Sequence, residues 1–189
     1  MSLNQKRSFF AHLTYNNKYL TFLGPELDKN YTSDEANVLT TLPHLKLTPG
    51  GVTRAYPKFI AYFECYDDYY NIQIRGHRYF GKYLSKNSDG ILSALPGAGG
   101  NTTSFNLLDD NHRIVTLDDL GSRNANVYLK ARNAGIIKTN EKSAQSREAR
   151  YFNDRTGNTL KFNLEILQRN VDYPSGTRPD EYNDFDEED

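Results

Sequence analysis

Two short phrases each occur three times along this chain, in the same order, and that recurrence limits its possible folds more than any other feature. Phe63-Glu64-Cys65, Phe105-Asn106-Leu107 and Phe162-Asn163-Leu164 each set a Phe two residues ahead of an apolar partner. That spacing puts both side chains on one face of a β-strand. A second slot holds Leu20, Leu84 and Leu129, each preceded by a tyrosine. Around Leu84 the phrase is complete: Gly81-Lys82-Tyr83-Leu84-Ser85 reads as a strand, Asn87-Ser88-Asp89-Gly90 as a tight turn, and Ile91-Leu92-Ser93-Ala94-Leu95 as the returning strand. The turn has a mechanism, because Asn and Asp bond their own backbone and Gly takes positive φ without a Cβ penalty. Gly135-Ile136-Ile137 follows Leu129 as Gly90-Ile91-Leu92 follows Leu84.

Alternation of apolar and polar residues predicts further strands over Phe9 to Tyr15, Lys18 to Leu23, Val38 to Leu42, Lys58 to Tyr66, Tyr70 to Arg75, Thr102 to Leu108, Arg113 to Leu117, Val127 to Ala131, Gly135 to Thr139 and Thr159 to Leu167. Asn16-Asn17 turns the first strand into the second. Loops are predicted over Pro43 to Pro57, Pro96 to Asn101 and Asn140 to Asn158, and helix only near Ala144 to Tyr151. Three passes of four strands make an all-β chain whose uneven spacing is absorbed by its loops.

On these residues the chain resembles the β-trefoil superfamily. Gly81 to Ser85 with its Asn87 to Gly90 turn is similar to the hairpin shared by fascin-like domains and, more distantly, fibroblast growth factors, and Asn17-Lys18-Tyr19-Leu20-Thr21 resembles the opening hairpin of a fascin-type trefoil. The third pass departs, with Asn133-Ala134-Gly135 where Ser88-Asp89-Gly90 stands in the second. The resemblance implies a β-trefoil of three four-strand repeats with pseudo-threefold symmetry, a six-stranded barrel closed by three hairpins. The domain would span residues 1–171, followed by an acidic, flexible tail over 172–189. It also implies a scaffold that displays loops for binding: a trefoil lectin, a fascin-like actin or cytoskeletal binder, or a protein-directed inhibitor or signalling factor.

Charge separates the tail from the body. Residues 172–189 hold eight carboxylates against one Arg, a balance of −7, so with a formal total of −1 the body is near +6. Tyr173, Tyr182 and Phe185 could anchor the tail on the basic body or on a neighbour. The tail is expected either to screen a basic surface or to dock Tyr182 and Phe185 on a neighbouring chain, forming a homo-oligomer, against a purely solubilising role. Cys65 is the single cysteine and falls on the buried face of its strand, which makes it a core thiol. A reducing, cytoplasmic setting is the simplest, or release without a conventional signal peptide, since the first residues lack an apolar export core. No run of about 18 apolar residues is present, so no membrane span is expected.

Local signatures of chemistry are missing. His12, His44, His77 and His112 are scattered without metal-ligand spacing, and no nucleophile elbow, phosphate loop or dinucleotide fingerprint occurs. No cofactor, metal or catalytic activity is expected. Asp67-Asp68, Asp109-Asp110 and Asp118-Asp119 read as strand-end turns. The segment that stands out is Tyr66 to Tyr79, where Tyr66, Asp67, Asp68, Tyr69, Arg75, His77 and Tyr79 crowd together. A sugar needs an aromatic face for its C–H side and carboxylates or amides for its hydroxyls, so these residues are the candidate glycan site. The absence of Trp rules out the Gln-x-Trp repeat of ricin-type lectins. Lys142, Arg147, Arg150 and Arg155, flanked by Lys138 and Lys161, form a second candidate surface for an acidic partner such as actin or a sulfated glycan. No stacking aromatics accompany them, so nucleic acid is not expected. The chain is thus expected to be a non-catalytic, lectin-like binding module.

Overall fold

The computed structural model describes residues 2–23, 36–42, 45–47, 53–55, 59–76, 79–98, 102–139 and 151–173. Along the chain run α1 (Leu3–Arg7), β1 (Phe9–Tyr15), β2 (Lys18–Phe22), β3 (Leu39–Leu42), β4 (Leu45–Leu47), β5 (Thr53–Ala55), β6 (Ile60–Tyr66), β7 (Tyr69–Ile74), β8 (Tyr83–Lys86), β9 (Leu92–Leu95), β10 (Ser104–Leu108), β11 (Ile114–Val115), β12 (Asn124–Ala131), β13 (Lys138–Thr139), β14 (Phe152–Asn153), β15 (Asn158–Thr159) and β16 (Phe162–Arg169).

Alternation sets the inner face. Phe9, Ala11, Leu13 and Tyr15 of β1 point into one core with Ala61, Phe63 and Cys65 of β6 and Tyr70, Ile72 and Ile74 of β7. Each inner face must be covered, and the sheet achieves this by closing on itself, which also removes free edges. β1 pairs β6, β6 pairs β7, β7 pairs β10, β10 pairs β12, β12 pairs β16, and β16 returns to β1, all antiparallel. The result is a closed six-stranded barrel with further strands outside it. At its centre Phe9 stacks on Phe63 with centroids 4.5 Å apart, and Tyr70 meets both edge-on. Asn16 and Asn17, at φ 48° and 55°, make the tight turn between β1 and β2.

All six residues of the repeated slots are buried: Leu20, Leu84, Leu129, Phe63, Phe105 and Phe162. Their places in the topology are not equivalent. Leu20 on β2 and Leu84 on β8 belong to strands outside the barrel, whereas Leu129 lies within the barrel strand β12, opposite Leu107. The returning strands differ as well. β8 and β9 form a regular hairpin from Tyr83↔Leu95 to Lys86↔Leu92, β2 pairs β3 across a long connection, and β13 forms a separate small sheet with β14 and β15. The expected β-trefoil with three equivalent hairpins, and the fascin-like resemblance with it, is therefore corrected: the architecture is a closed antiparallel barrel with added strands. A repeated phrase dictates which positions must be apolar, but it does not dictate which strands pair.

Smaller corrections follow the same logic. The predicted loop from Pro43 to Pro57 carries β4 and β5, paired from Leu45↔Ala55 to Leu47↔Thr53. The predicted loop from Asn140 to Asn158 carries β14 and the start of β15. Residues 144–150 of the predicted helix lie outside the described residues, and Tyr151 is not helical. An unpredicted helix, α1, precedes the barrel. Its start is a capping box, in which the Ser2 hydroxyl accepts from the Gln5 N–H and the Gln5 side chain accepts from the Ser2 N–H.

Candidate functional site

The turn between β6 and β7 consists of Asp67 and Asp68, flanked by the cross-strand pair Tyr66↔Tyr69. Asp67 takes φ 61°, the left-handed conformation that Asp tolerates better than most residues. The backbone of this turn is held from several sides. Asn4 Oδ1 accepts from the Asp67 N–H at 3.0 Å, Arg7 donates to the Asp67 carbonyl at 3.4 Å, and Asn106 Nδ2 donates to the Asp68 carbonyl at 2.8 Å. Arg7 is itself anchored by Asp118 at 2.6 Å. On this fixed base both aspartates are exposed, and the Tyr66 and Tyr69 rings stack at 5.7 Å with planes 15° apart. The Arg132 guanidinium lies 3.9 Å from the Tyr69 ring centroid, a cation–π contact that orders the ring.

Period two then extends the site along the outer face of the sheet. Tyr62, Glu64 and Tyr66 share that face of β6, opposite Gln73, Asn71 and Tyr69 of β7. Glu64 is half-buried, and desolvation raises its carboxyl above the usual range although the Tyr66 hydroxyl bonds to it. Burial and that same hydrogen bond push Tyr66 up to about 12, so its hydroxyl stays a donor. Tyr83 of β8, paired with Gln73, continues the face. Gln73 Nε2 donates to the Tyr83 hydroxyl at 3.3 Å and to the Tyr173 hydroxyl at 3.2 Å. Burial, followed by a hydrogen bond between the two phenols, raises the Tyr83 hydroxyl well above its ordinary value. Beside them lies a second apolar cluster on the outside of the barrel, Phe10, Ile60 and Tyr62, covered in part by Leu167 and Val171.

Of the predicted glycan residues, Tyr66, Asp67, Asp68 and Tyr69 are brought together. Arg75 and Tyr79 are not with them, since β7 runs from Tyr69 to Ile74 and they lie beyond its far end. Arg75 is buried, donates to Gln73 Oε1 at 2.8 Å and stacks on Phe80. Tyr79 packs on Phe22 at 4.3 Å and donates its hydroxyl to the Ala36 carbonyl. His77 lies outside the described residues, as do Lys142, Arg147 and Arg150 of the basic candidate surface. Arg155 is described, and its guanidinium is engaged with the Ser88 carbonyl at 2.9 Å. The other acidic pairs serve local structure: Asp109 accepts from the Asn111 and Arg113 N–H groups, and Asp119 from that of Thr116.

Sequence reasoning missed Glu64, Gln73, Tyr83 and Arg132 as site residues, and read Tyr173 only as an anchor for the tail. The first had a legible signal, because strict alternation puts Glu64 on the same face as Tyr66. The others depend on strand pairing. Among the described residues no group of three or more His, Cys, Asp or Glu side chains is placed to hold a metal ion, and no helix is long and apolar enough to cross a membrane. No protein-family model matches the chain, and no curated protein matches it in sequence.

Proposed function

We propose that this protein is a non-catalytic carbohydrate-binding module that meets its glycan with the β6–β7 turn and the sheet face beside it. The observation that carries the reading is the stacked Tyr66–Tyr69 pair beside two exposed carboxylates, on a turn whose backbone is tied to α1 and β10. A pyranose presents an apolar C–H face and a rim of hydroxyls. The tyrosine rings suit the first and Asp67 and Asp68 the second. A site that is already rigid loses little freedom on binding, which matters for a ligand whose contacts are individually weak.

A glycan array followed by titration calorimetry of the best ligand tests this. Tyr66→Ala is expected to weaken binding about tenfold, and Asp68→Asn by a similar factor through the loss of a charge-assisted hydrogen bond. Silence on the array would overturn the proposal. So would hydrolysis of the glycan that disappears in Glu64→Gln, because a carboxyl with a raised pKa is also what a general acid requires.

A further inference from the structure

Tyr173 fills a place built by other residues. It follows β16 on a segment held at Val171, whose N–H donates to the Ser8 carbonyl at 3.0 Å and whose carbonyl accepts from the Tyr62 hydroxyl at 3.2 Å. Its ring meets Tyr62 edge-on at 6.1 Å, and its hydroxyl accepts from the same Gln73 Nε2 that donates to the Tyr83 hydroxyl. The walls are far more buried than the occupant: Tyr62, Gln73 and Arg75 are 1%, 4% and 2% exposed, Tyr173 53%. Arg75 has a clear part here. By taking Gln73 Oε1 it turns the amide so that Nε2 faces the two phenols.

The place is continuous with the turn. Tyr62, Glu64 and Tyr66 lie two residues apart on one face, so the turn and the Tyr173 place are separated by roughly 13 Å at about 3.3 Å per residue. A sugar ring offers the same features that Tyr173 supplies, a hydroxyl that accepts and donates beside an apolar face. We infer that the glycan face continues along the outer side of β6, β7 and β8 to a second subsite now filled by Tyr173, so that the ligand is an extended oligosaccharide and the chain's own Tyr173 competes with it. This rests on the reading of the β6–β7 turn as a glycan contact.

Calorimetry on the full-length protein, using an oligosaccharide found on the array and its terminal monosaccharide, tests the inference. The oligosaccharide is expected to bind more tightly than the monosaccharide. Tyr173→Ala is expected to raise oligosaccharide affinity by about two- to tenfold, the range of one aromatic contact, and to leave the monosaccharide unchanged. Tyr173→Trp gives the chain its only Trp, whose emission should shift on titration with the oligosaccharide and not with the monosaccharide. Equal affinity for the two ligands, a loss of oligosaccharide affinity in Tyr173→Ala, or an emission that ignores the oligosaccharide would each overturn the second subsite while leaving the turn as a glycan contact. Failure of the wild type and Tyr173→Ala to bind any glycan would overturn both.

Discussion

The Asp154 carboxylate occupies the space that a side chain at Gly90 would need: an ideal Cβ there would approach Asp154 Oδ1 to well under 3.0 Å, closer than real Cβ atoms come. Gly135, the counterpart of Gly90 in the next pass of the sequence, meets the same residue, its ideal Cβ falling 2.5 Å from the Asp154 carbonyl oxygen. One residue thus packs against two hairpin glycines. It is fixed there by Lys86, whose ammonium lies 2.5 Å from Asp154 Oδ2, and by its own N–H, which donates to the Gly90 carbonyl at 3.2 Å. The β8–β9 hairpin and the segment after β14 are locked together through this contact.

Gly90→Ala should therefore destabilise through two separable effects. Its φ of +79° disfavours a Cβ by about 1 kcal/mol, and the approach of Asp154 adds a steric cost of about 1–3 kcal/mol. In a thermal-denaturation double-mutant cycle with Asp154→Ala, most of the steric part should vanish, leaving the φ part and the approach of Arg155 Nε at 3.1 Å. Additive effects would show that Asp154 does not press on Gly90. Gly135→Ala, which meets backbone, should not be relieved by Asp154→Ala.

Tyr70→Phe is expected to cost about 1–3 kcal/mol although it removes one oxygen. The Tyr70 hydroxyl accepts from the buried Leu117 N–H at 2.9 Å, and Phe would leave that donor without its acceptor. Urea unfolding should show a lower midpoint with an unchanged slope. An unchanged midpoint would mean that water replaces the phenol.

Glu64→Gln should be neutral or stabilising near pH 7. Burial raises the Glu64 carboxyl above its unfolded value of 4.5, so the folded state holds this proton more tightly than the unfolded chain. The contribution of Glu64 to stability is then fully present below the unfolded value and is lost as pH rises through the raised folded value. The variant's advantage should shrink as pH is lowered into the carboxylate range. If Glu64→Gln is less stable at pH 7 and the deficit closes only on acidification, Glu64 is stabilising as an anion and the assigned direction is wrong.

Cys65 should resist thiol reagents in the native protein. It is 2% exposed, and burial pushes its thiol up to about 11, so the reactive thiolate is scarce at neutral pH. Ellman's reagent at pH 8 should release its chromophore only after denaturant is added. Rapid reaction in native buffer would show that the β6–β7 end of the barrel opens.

Much of the local structure was legible in the residues. Period two marked β1, β6, β7 and β10 and their inner faces, and the slots Leu20, Leu84, Leu129, Phe63, Phe105 and Phe162 were recognisable as core. Asn16-Asn17 and Asp67-Asp68 announced their turns, and the second of these brought Tyr66 and Tyr69 together. A tight hairpin is local enough for its own residues to specify it. Alternation also indicated that Cys65 points inward.

Only the tertiary structure decided which strands are neighbours. β1 lies between β6 and β16, pairing Phe9 with both Phe63 and Arg169, and no property of Phe9 names either partner. Two strands outside the barrel, β2 and β8, and one within it, β12, look alike in sequence because each needs an apolar inner face, yet their backbone partners differ. Closure separates Arg75 and Tyr79 from the β6–β7 turn and sets Tyr173 against Gln73, a hundred positions earlier in the chain. Side-chain period is a property of one strand and can be read from it. Register and pairing are properties of two, fixed by hydrogen bonds between residues far apart in sequence, and they appear only when the barrel closes.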